Sequence, residues 1–349
     1  MNYHRLIAIV LAAVFMTAVG LTGQTLPDGF AGKVIAQGEK PDWLPDSKSV
    51  SYSHDNGFYI YELKKGEAKK ITDVNIAEYV WLDDKTALVI EWPDNVTEKK
   101  RVEKIINYWL IEKVGKKKLL AADTALTNRI PEYHTPIKFS NGVYALRKSP
   151  GWNINEFVQN ENFVALTKEP FDLDTAVKNF RYVTWSNQEG GTIFFKNIDR
   201  DTEKTVLPGQ YHTDIRMSDD YSRMLTYTAE SSNILDSNGA VVFDLMDFID
   251  PGMQAGLDKM FGGVWNSTND GVAYYEIYET PEKYYTLNYF DLNSGQKTVL
   301  TPTIYYSKKG IVFAPDNSAV VTYFIQDNVS YITVIDLPSP TQPTGDQAR

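Results

Sequence analysis

From residue 33 onward the polar and apolar positions follow a period of two, broken at short intervals by turn residues. The pattern predicts strands rather than helices. The clearest unit opens on Trp43-Leu44-Pro45-Asp46-Ser47-Lys48-Ser49-Val50-Ser51-Tyr52, continues through Phe58 to Leu63, turns at Lys64-Lys65-Gly66-Glu67 and closes near Thr72. Phe313-Ala314-Pro315-Asp316-Asn317-Ser318 opens a matching unit, followed by Val320 to Tyr323 and Tyr331 to Leu337. Asp291-Leu292-Asn293-Ser294-Gly295-Gln296 repeats the segment Glu62 to Glu67 without a gap. The Asp-Ser and Asp-Asn pairs suit a first tight turn, because their side chains bond nearby backbone and tolerate left-handed dihedrals. Leu-x-x-Gly suits a second turn, where glycine supplies positive φ.

A bulky residue marks the opening of each unit: Trp43, Trp81, Phe139, Trp185, Met217, Trp265 and Phe313. Their spacing runs from 32 to 58 residues, around the roughly 40–50 expected of a four-stranded propeller blade. The unit from Phe139 is compressed. The expected fold is therefore all-β, a single β-propeller of about seven four-stranded blades over residues 33–337, with six or eight as alternatives. Trp43, Trp81, Trp185 and Trp265 are expected at equivalent, largely buried positions. The last unit supplies three strands and then meets Pro338, Pro340 and Pro343, which cannot extend a ladder because proline lacks an amide donor. Its outer strand is missing. Lys33-Val34-Ile35-Ala36 is apolar and otherwise unassigned, and is expected to supply that strand and join the two termini.

The Trp-x-Pro-Asp-Ser-Lys and Asp-Leu-x-x-Gly segments resemble the TolB-like propeller repeat of exported bacterial proteins, over most of residues 33 to 337. After a unit marker the Pro-Asp pair stands only at Pro45-Asp46 and Pro315-Asp316, the middle units diverge, and no separate N-terminal α/β domain is expected. The resemblance implies a propeller in an exported setting, without a Tol–Pal role.

The N-terminus agrees on the setting. His4 and Arg5 precede an uncharged apolar run from Leu6 to Leu21, with small residues at Ala18 and Gly20. This is a signal-peptide pattern for residues 1–21, or an uncleaved membrane anchor. Residues 22–32 read as a linker and 338–349 as a disordered Pro-rich tail. An extracytoplasmic location, periplasmic or secreted, follows as the expectation.

Composition narrows the chemistry. The chain has 45 acidic and 35 basic residues, a net charge of −10, which disfavours nucleic acid as a partner. Lys113, Lys116, Lys117 and Lys118 fall at an expected hairpin turn and read as solvated. Cysteine is absent, removing disulfides, thiolate metal sites and thiol nucleophiles. His54, His134 and His212 lie far apart, without metal-ligand spacing, and no Gly-x-Ser-x-Gly elbow occurs. Asp199 to Glu203 aligns with the second hairpin turn of the repeat, and Ser186 to Thr192 only partly matches a sialidase Asp-box. No metal site, cofactor or catalytic residue is expected.

Two segments look inserted: Glu169–Phe180, and Asp247–Phe261, which reads as a short amphipathic helix after an Asp250 cap. Tyrosines crowd the last third, among them the adjacent pairs Tyr284-Tyr285 and Tyr305-Tyr306. Adjacent residues of a strand face opposite ways, so these four are the candidate binding residues, with packing between blades as their other use. The functional expectation is a non-enzymatic envelope scaffold binding a protein or glycan. The alternative is a propeller glycoside hydrolase or lyase using carboxylates in the central funnel.

Overall fold

The computed structural model describes residues 32–92, 103–126, 137–138, 144–147, 163–165, 181–186, 192–197, 202–206, 212–218, 220, 222–228, 231–254, 256–279, 284–303, 310–326 and 328–338. Strand β1 (Lys33–Gln37) comes first. The first sheet then holds β2 (Glu39–Trp43), β3 (Ser49–His54), β4 (Gly57–Glu62) and β5 (Glu67–Asp73). The second holds β6 (Ile76–Trp81), β7 (Thr86–Glu91), β8 (Glu103–Glu112) and β9 (Lys117–Leu126). Two three-stranded sheets follow, β10 to β12 (Ile137–Lys138, Tyr144–Arg147, Phe163–Ala165) and β13 to β15 (Arg181–Ser186, Thr192–Asn197, Thr202–Val206). The fifth sheet holds β16 (His212–Met217), β17 (Arg223–Thr228), β18 (Ser232–Asp236) and β19 (Val241–Asp244). The sixth holds β20 (Leu257–Trp265), β21 (Gly271–Tyr278), β22 (Tyr284–Asp291) and β23 (Gln296–Thr303). The last is built from β24 (Val312–Phe313), β25 (Ala319–Gln326) and β26 (Val329–Asp336). All seven of these sheets, counted among the described residues, are antiparallel and, apart from the entry of β1, follow chain order.

The chain closes on itself through β1. The order of the last sheet is β1-β26-β25-β24, with Lys33 opposite Val334, Val34 opposite Thr333 and Gln37 opposite Tyr331. The expected closing strand is therefore present. It covers an edge that would otherwise expose unpaired backbone groups.

Neighbouring sheets pack face to face and share cores. Leu44, Phe58 and Ile60 meet Tyr79, Trp81 and Val89 between the first and second sheets. Trp43, Val50 and Tyr52 meet Ile35, Val321 and Ile332 between the first and last. Ala273, Tyr275 and Leu287 meet Phe313, Val320 and Ile335 between the sixth and last, and Leu225 and Tyr227 meet Val272, Tyr274 and Phe290 between the fifth and sixth. Alternate residues of one strand thus enter two different cores, and every residue of β21 is buried. Radial packing of successive antiparallel sheets, closed by the N-terminal strand, makes the fold a β-propeller.

The repeat markers are equivalent in register. Trp43, Trp81, Met217, Trp265 and Phe313 each end the first strand of their sheet, opposite Val50, Ala87, Met224, Val272 and Val320. Trp185 lies one residue earlier, opposite Ile193. The indole N–H groups perform one task. Trp43 donates to the Val312 carbonyl and Trp265 to the Arg216 carbonyl, both at 3.0 Å, each being the carbonyl just before the marker of the preceding sheet. Trp81 donates at 2.8 Å to Ser51 Oγ, which donates in turn to the corresponding Asp42 carbonyl. Trp43 and Trp81 are buried, as expected, whereas Trp265 is half-buried. The side chain of Trp185, and all of Phe139, lie outside the described residues.

Both predicted turn types are present. The first-turn aspartates Asp46, Asp83 and Asp316 accept backbone N–H bonds two residues on, and Ser47 and Asn317 take left-handed φ values of 55° and 58°. Gly66 and Gly295 sit at φ 70° and 65° in the second turns. Lys113 and Lys116 belong to the corresponding β8–β9 turn, as read from the sequence, and Lys113 Nζ lies 3.3 Å from Asp46 Oδ2.

The segment Asp247–Phe261 corrects the expectation of an amphipathic helix. Only a 3-10 turn (Leu245–Phe248), N-capped by Asp244, and one α-helical turn (Pro251–Gln254) occur there. Leu257, Met260 and Phe261 belong instead to β20, opposite Tyr278, Glu276 and Tyr275. A full ladder with β21, and burial of Met260, outweigh the local helical spacing. The segment Glu169–Phe180 lies outside the described residues.

The sixth sheet also buries an ion pair. Glu276 on β21 is 1% exposed, its Oε1 is 2.6 Å from Lys297 Nζ, and its Oε2 accepts from Tyr278 Oη at 2.7 Å. Thr286 Oγ1 completes the cluster at 3.4 Å.

Candidate functional site: a polar depression at the closing junction

A depression of about 1180 Å³ opens where the first sheet meets the last. Short connections build it. Chain closure brings β1 across to β2 through Gly38, whose N–H donates to the Ser330 carbonyl at 2.9 Å. Gly38 has φ 151°, and a Cβ there would lie 2.5 Å from the Ser53 carbonyl oxygen, so only glycine fits. The β3–β4 hairpin turns on Asp55 and Asn56, at φ 44° and 54°, a pair of left-handed residues that Asp and Asn tolerate well. Asn328, at φ 62°, turns the equivalent β25–β26 hairpin. Asn75 enters from the β5–β6 connection and Trp92 from the end of β7, linked by the Trp92 N–H to Asn75 carbonyl bond at 2.7 Å. The lining is thus hairpin tips and crossings held by backbone hydrogen bonds.

Its chemistry is mostly uncharged and polar. Gln37, Ser53, Asn56, Asn75, Asn328 and Ser330 stand beside two carboxylates, Glu39 and Asp55. His54 Nε2 lies 3.2 Å from Asp55 Oδ2, and Ser330 Oγ donates to Glu39 Oε1 at 3.3 Å. Lys40 Nζ donates to the Ile76 carbonyl at 2.6 Å.

A second, smaller cavity of about 230 Å³ lies among the inner strands, lined by Lys40, Asp42, Glu78, Tyr79 and Tyr275 among others. Part of Asp42 still faces this cavity, but the protein encloses its carboxyl. Burial pushes its pKa up from 3.8 to about 7, against the opposing effect of the Trp43 backbone N–H. Burial likewise holds the Tyr79 hydroxyl well above its ordinary pKa, with the Asp42 charge adding to the shift. That hydroxyl donates to the Lys40 and Ser51 carbonyls at 2.7 and 2.9 Å.

The raised Asp42 pKa has a consequence for stability. Between 3.8 and about 7 the folded protein keeps a proton that the unfolded chain has released. Stability therefore falls as pH rises through that window, by about 4 kcal/mol at most, and is not regained above it. Asp42→Asn should melt slightly higher than wild type at pH 5 and further above it at pH 8, by on the order of 5 °C. Thermal melts at the two pH values check this. A gap that does not change with pH would refute the assignment.

Of the sequence-derived binding residues, two fall within the described part of the chain. Tyr284 and Tyr285 lie on β22, opposite Tyr278 and Ile277. Tyr285 is half-buried, and the Tyr284 side chain lies outside the described part. Tyr305 and Tyr306 are outside the described residues. Tyr274, Tyr275, Tyr278 and Tyr289 are buried between sheets. Residues of the depression were not singled out from sequence. The available signal was the turn pair Asp55-Asn56, matched by Asp327-Asn328 at the same place in the last unit.

Among the described residues no helix is long and apolar enough to cross a membrane. No family model and no curated protein matches the chain. Solved structures do align with it. TolB from Acinetobacter baumannii is 14% identical over 93% of this chain and 69% of its own, with a TM-score of 0.37. An oligogalacturonate lyase from Vibrio parahaemolyticus is 12% identical over 91% and 80%, with a TM-score of 0.37. A eukaryotic initiation factor is 13% identical over 88% and 87%, with a TM-score of 0.43. At these identities and scores the alignments carry no functional argument, and the propeller assignment stands on the sheets, their shared cores and the closing strand.

Proposed function

We propose that the chain is a non-enzymatic β-propeller scaffold of the cell envelope, TolB-like in its repeat. In this reading it is exported through its N-terminal segment and binds an envelope protein or glycan at the closing junction. The observation that carries the reading is the depression of about 1180 Å³. It exceeds the roughly 300–1,000 Å³ of ordinary small-molecule pockets and is built on turns held by backbone bonds, as a surface for an extended partner requires. The location rests on the apolar run Leu6–Leu21 after Arg5.

One observation favours the enzymatic alternative: Asp42, with its raised pKa, shares the inner cavity with Glu78. Size decides against it. That cavity measures about 230 Å³, below the roughly 300–1,000 Å³ of pockets that enclose a drug-sized ligand, and a glycan segment is larger still.

Pull-downs from envelope extracts with wild type and with Asn56→Gly/Asn328→Gly test the scaffold reading. Capture by wild type, lost in the double variant, is expected. Equal capture by both would remove the depression from the account. Release of sugar ends from envelope glycans by wild type, abolished by Asp42→Asn, would establish an enzyme instead.

A further inference from the structure

We infer that the ligand of the depression is an uncharged oligosaccharide. The inference rests on the reading of this depression as the binding face, and deepens it by naming the ligand class. The first observation is hydrogen-bonding capacity. The side-chain amides of Gln37, Asn56, Asn75 and Asn328 line the depression and form no hydrogen bond among the described residues. Each amide offers two donors and an acceptor with two lone pairs, the mixed pattern that complements sugar hydroxyls. Two of the four, Asn56 and Asn328, stand at hairpin tips whose left-handed backbone sets the direction of their Cα–Cβ bonds.

The second observation is charge. Glu39 and Asp55 face a single ammonium among the lining residues, that of Lys40, which already donates to the Ile76 carbonyl. Among the described residues no arginine lines the depression, so they do not supply the bidentate group that recognises carboxylate or phosphate. With a whole-chain charge of −10, an anionic glycan would be repelled rather than gathered.

The third observation separates a glycan from a protein. Protein interfaces draw on exposed aromatic and apolar anchors at their centre. Here Ile76 and Trp92 are 3% and 8% exposed, and among the described residues none of the strongly exposed large hydrophobic ones, such as Ile105, Val114 or Val299, lines the depression. What the described lining leaves open to a ligand is mainly amide and hydroxyl surface, beside the carboxylates of Glu39 and Asp55.

Titration calorimetry on the full chain tests this with defined probes. The uncharged ones are tetramers of β-1,4-linked glucose, of N-acetylglucosamine and of mannose, and the anionic one is a galacturonate trimer. At least one uncharged tetramer should bind, and Asn56→Gly/Asn328→Gly should weaken it by about tenfold, the loss expected from two hydrogen-bonding amides. Glycine accepts the positive φ of both sites, so the variant keeps its turns, and an unchanged melting temperature confirms it. Galacturonate binding as tightly as the uncharged probes, or tetramer binding indifferent to the double variant, would overturn the inference. Variant-sensitive capture from envelope extracts that protease treatment abolishes would also overturn it, while leaving the scaffold reading intact. Failure of every probe together with variant-insensitive capture would bring down both.

Discussion

Deletion of residues 33–37 should unfold the propeller as a whole rather than fray one edge. Strand β1 contributes Ile35 and Ala36, 2% and 5% exposed, to the core that joins the first and last sheets. Burying an isoleucine is worth about 1.5–3 kcal/mol. Each ladder hydrogen bond adds about 1 kcal/mol. Loss of the strand also exposes Ile332 and Val334 along β26, which belong to the same core as Trp43. The summed cost, roughly 5 kcal/mol or more, is comparable to the entire stability of many domains. A point variant guards against the linker slipping into the vacated place: Ile35→Ala should cost about 2–5 kcal/mol by itself. Removal of residues 340–349 should change little, since β26 ends at Asp336. Melting curves of the three proteins decide the matter. A deletion that melts within about 2 °C of wild type, a shift worth no more than about 1 kcal/mol, would mean that β1 does not seal the ring.

Lys297→Met should be the most damaging single substitution in the sixth sheet. It leaves Glu276, 1% exposed, without the ammonium 2.6 Å from its Oε1. Removing one partner of a buried ion pair costs about 3–5 kcal/mol, because the remaining charge has lost both water and its counter-ion. The double variant Glu276→Gln/Lys297→Met should recover most of that loss. A neutral amide in place of the carboxylate keeps an acceptor for Tyr278 and Thr286 and carries no charge to desolvate. Denaturant titration of wild type, single and double variants measures the difference. If the double variant is as unstable as the single one, the loss comes from packing of the lysine stem and not from the stranded charge.

Much of the architecture was legible in residue order because strands and turns answer to near neighbours. Asp46-Ser47 and Asp316-Asn317 announced one turn type, and Gly66 and Gly295 the other. The prolines after Leu337 left the last unit one strand short, and Lys33–Ala36 was the unassigned apolar segment able to complete it. Closure was a matter of counting strands and edges. Trp43, Trp81, Met217, Trp265 and Phe313 could be aligned for the same reason, since each ends the first strand of its sheet.

Tertiary structure decided what depends on which faces meet. The sequence around Gly271–Tyr278 shows no polar face because both sides of β21 enter cores, one toward the fifth sheet and one toward the last. Residues 257–261 carried helical spacing yet became strand, because the available partner was β21. Local pattern cannot express that competition. The crowded tyrosines of the last third allowed both core and surface in one dimension, and packing decided that Tyr274, Tyr275 and Tyr278 are buried between sheets. The depression gathers Gln37, Asn56, Asn75, Trp92 and Asn328 from five separate connections. Asp42 titrates near 7 only because the inner strands enclose it. Spacing along the chain encodes neither. Both arise when the ring closes through β1 and brings the first and last sheets into contact.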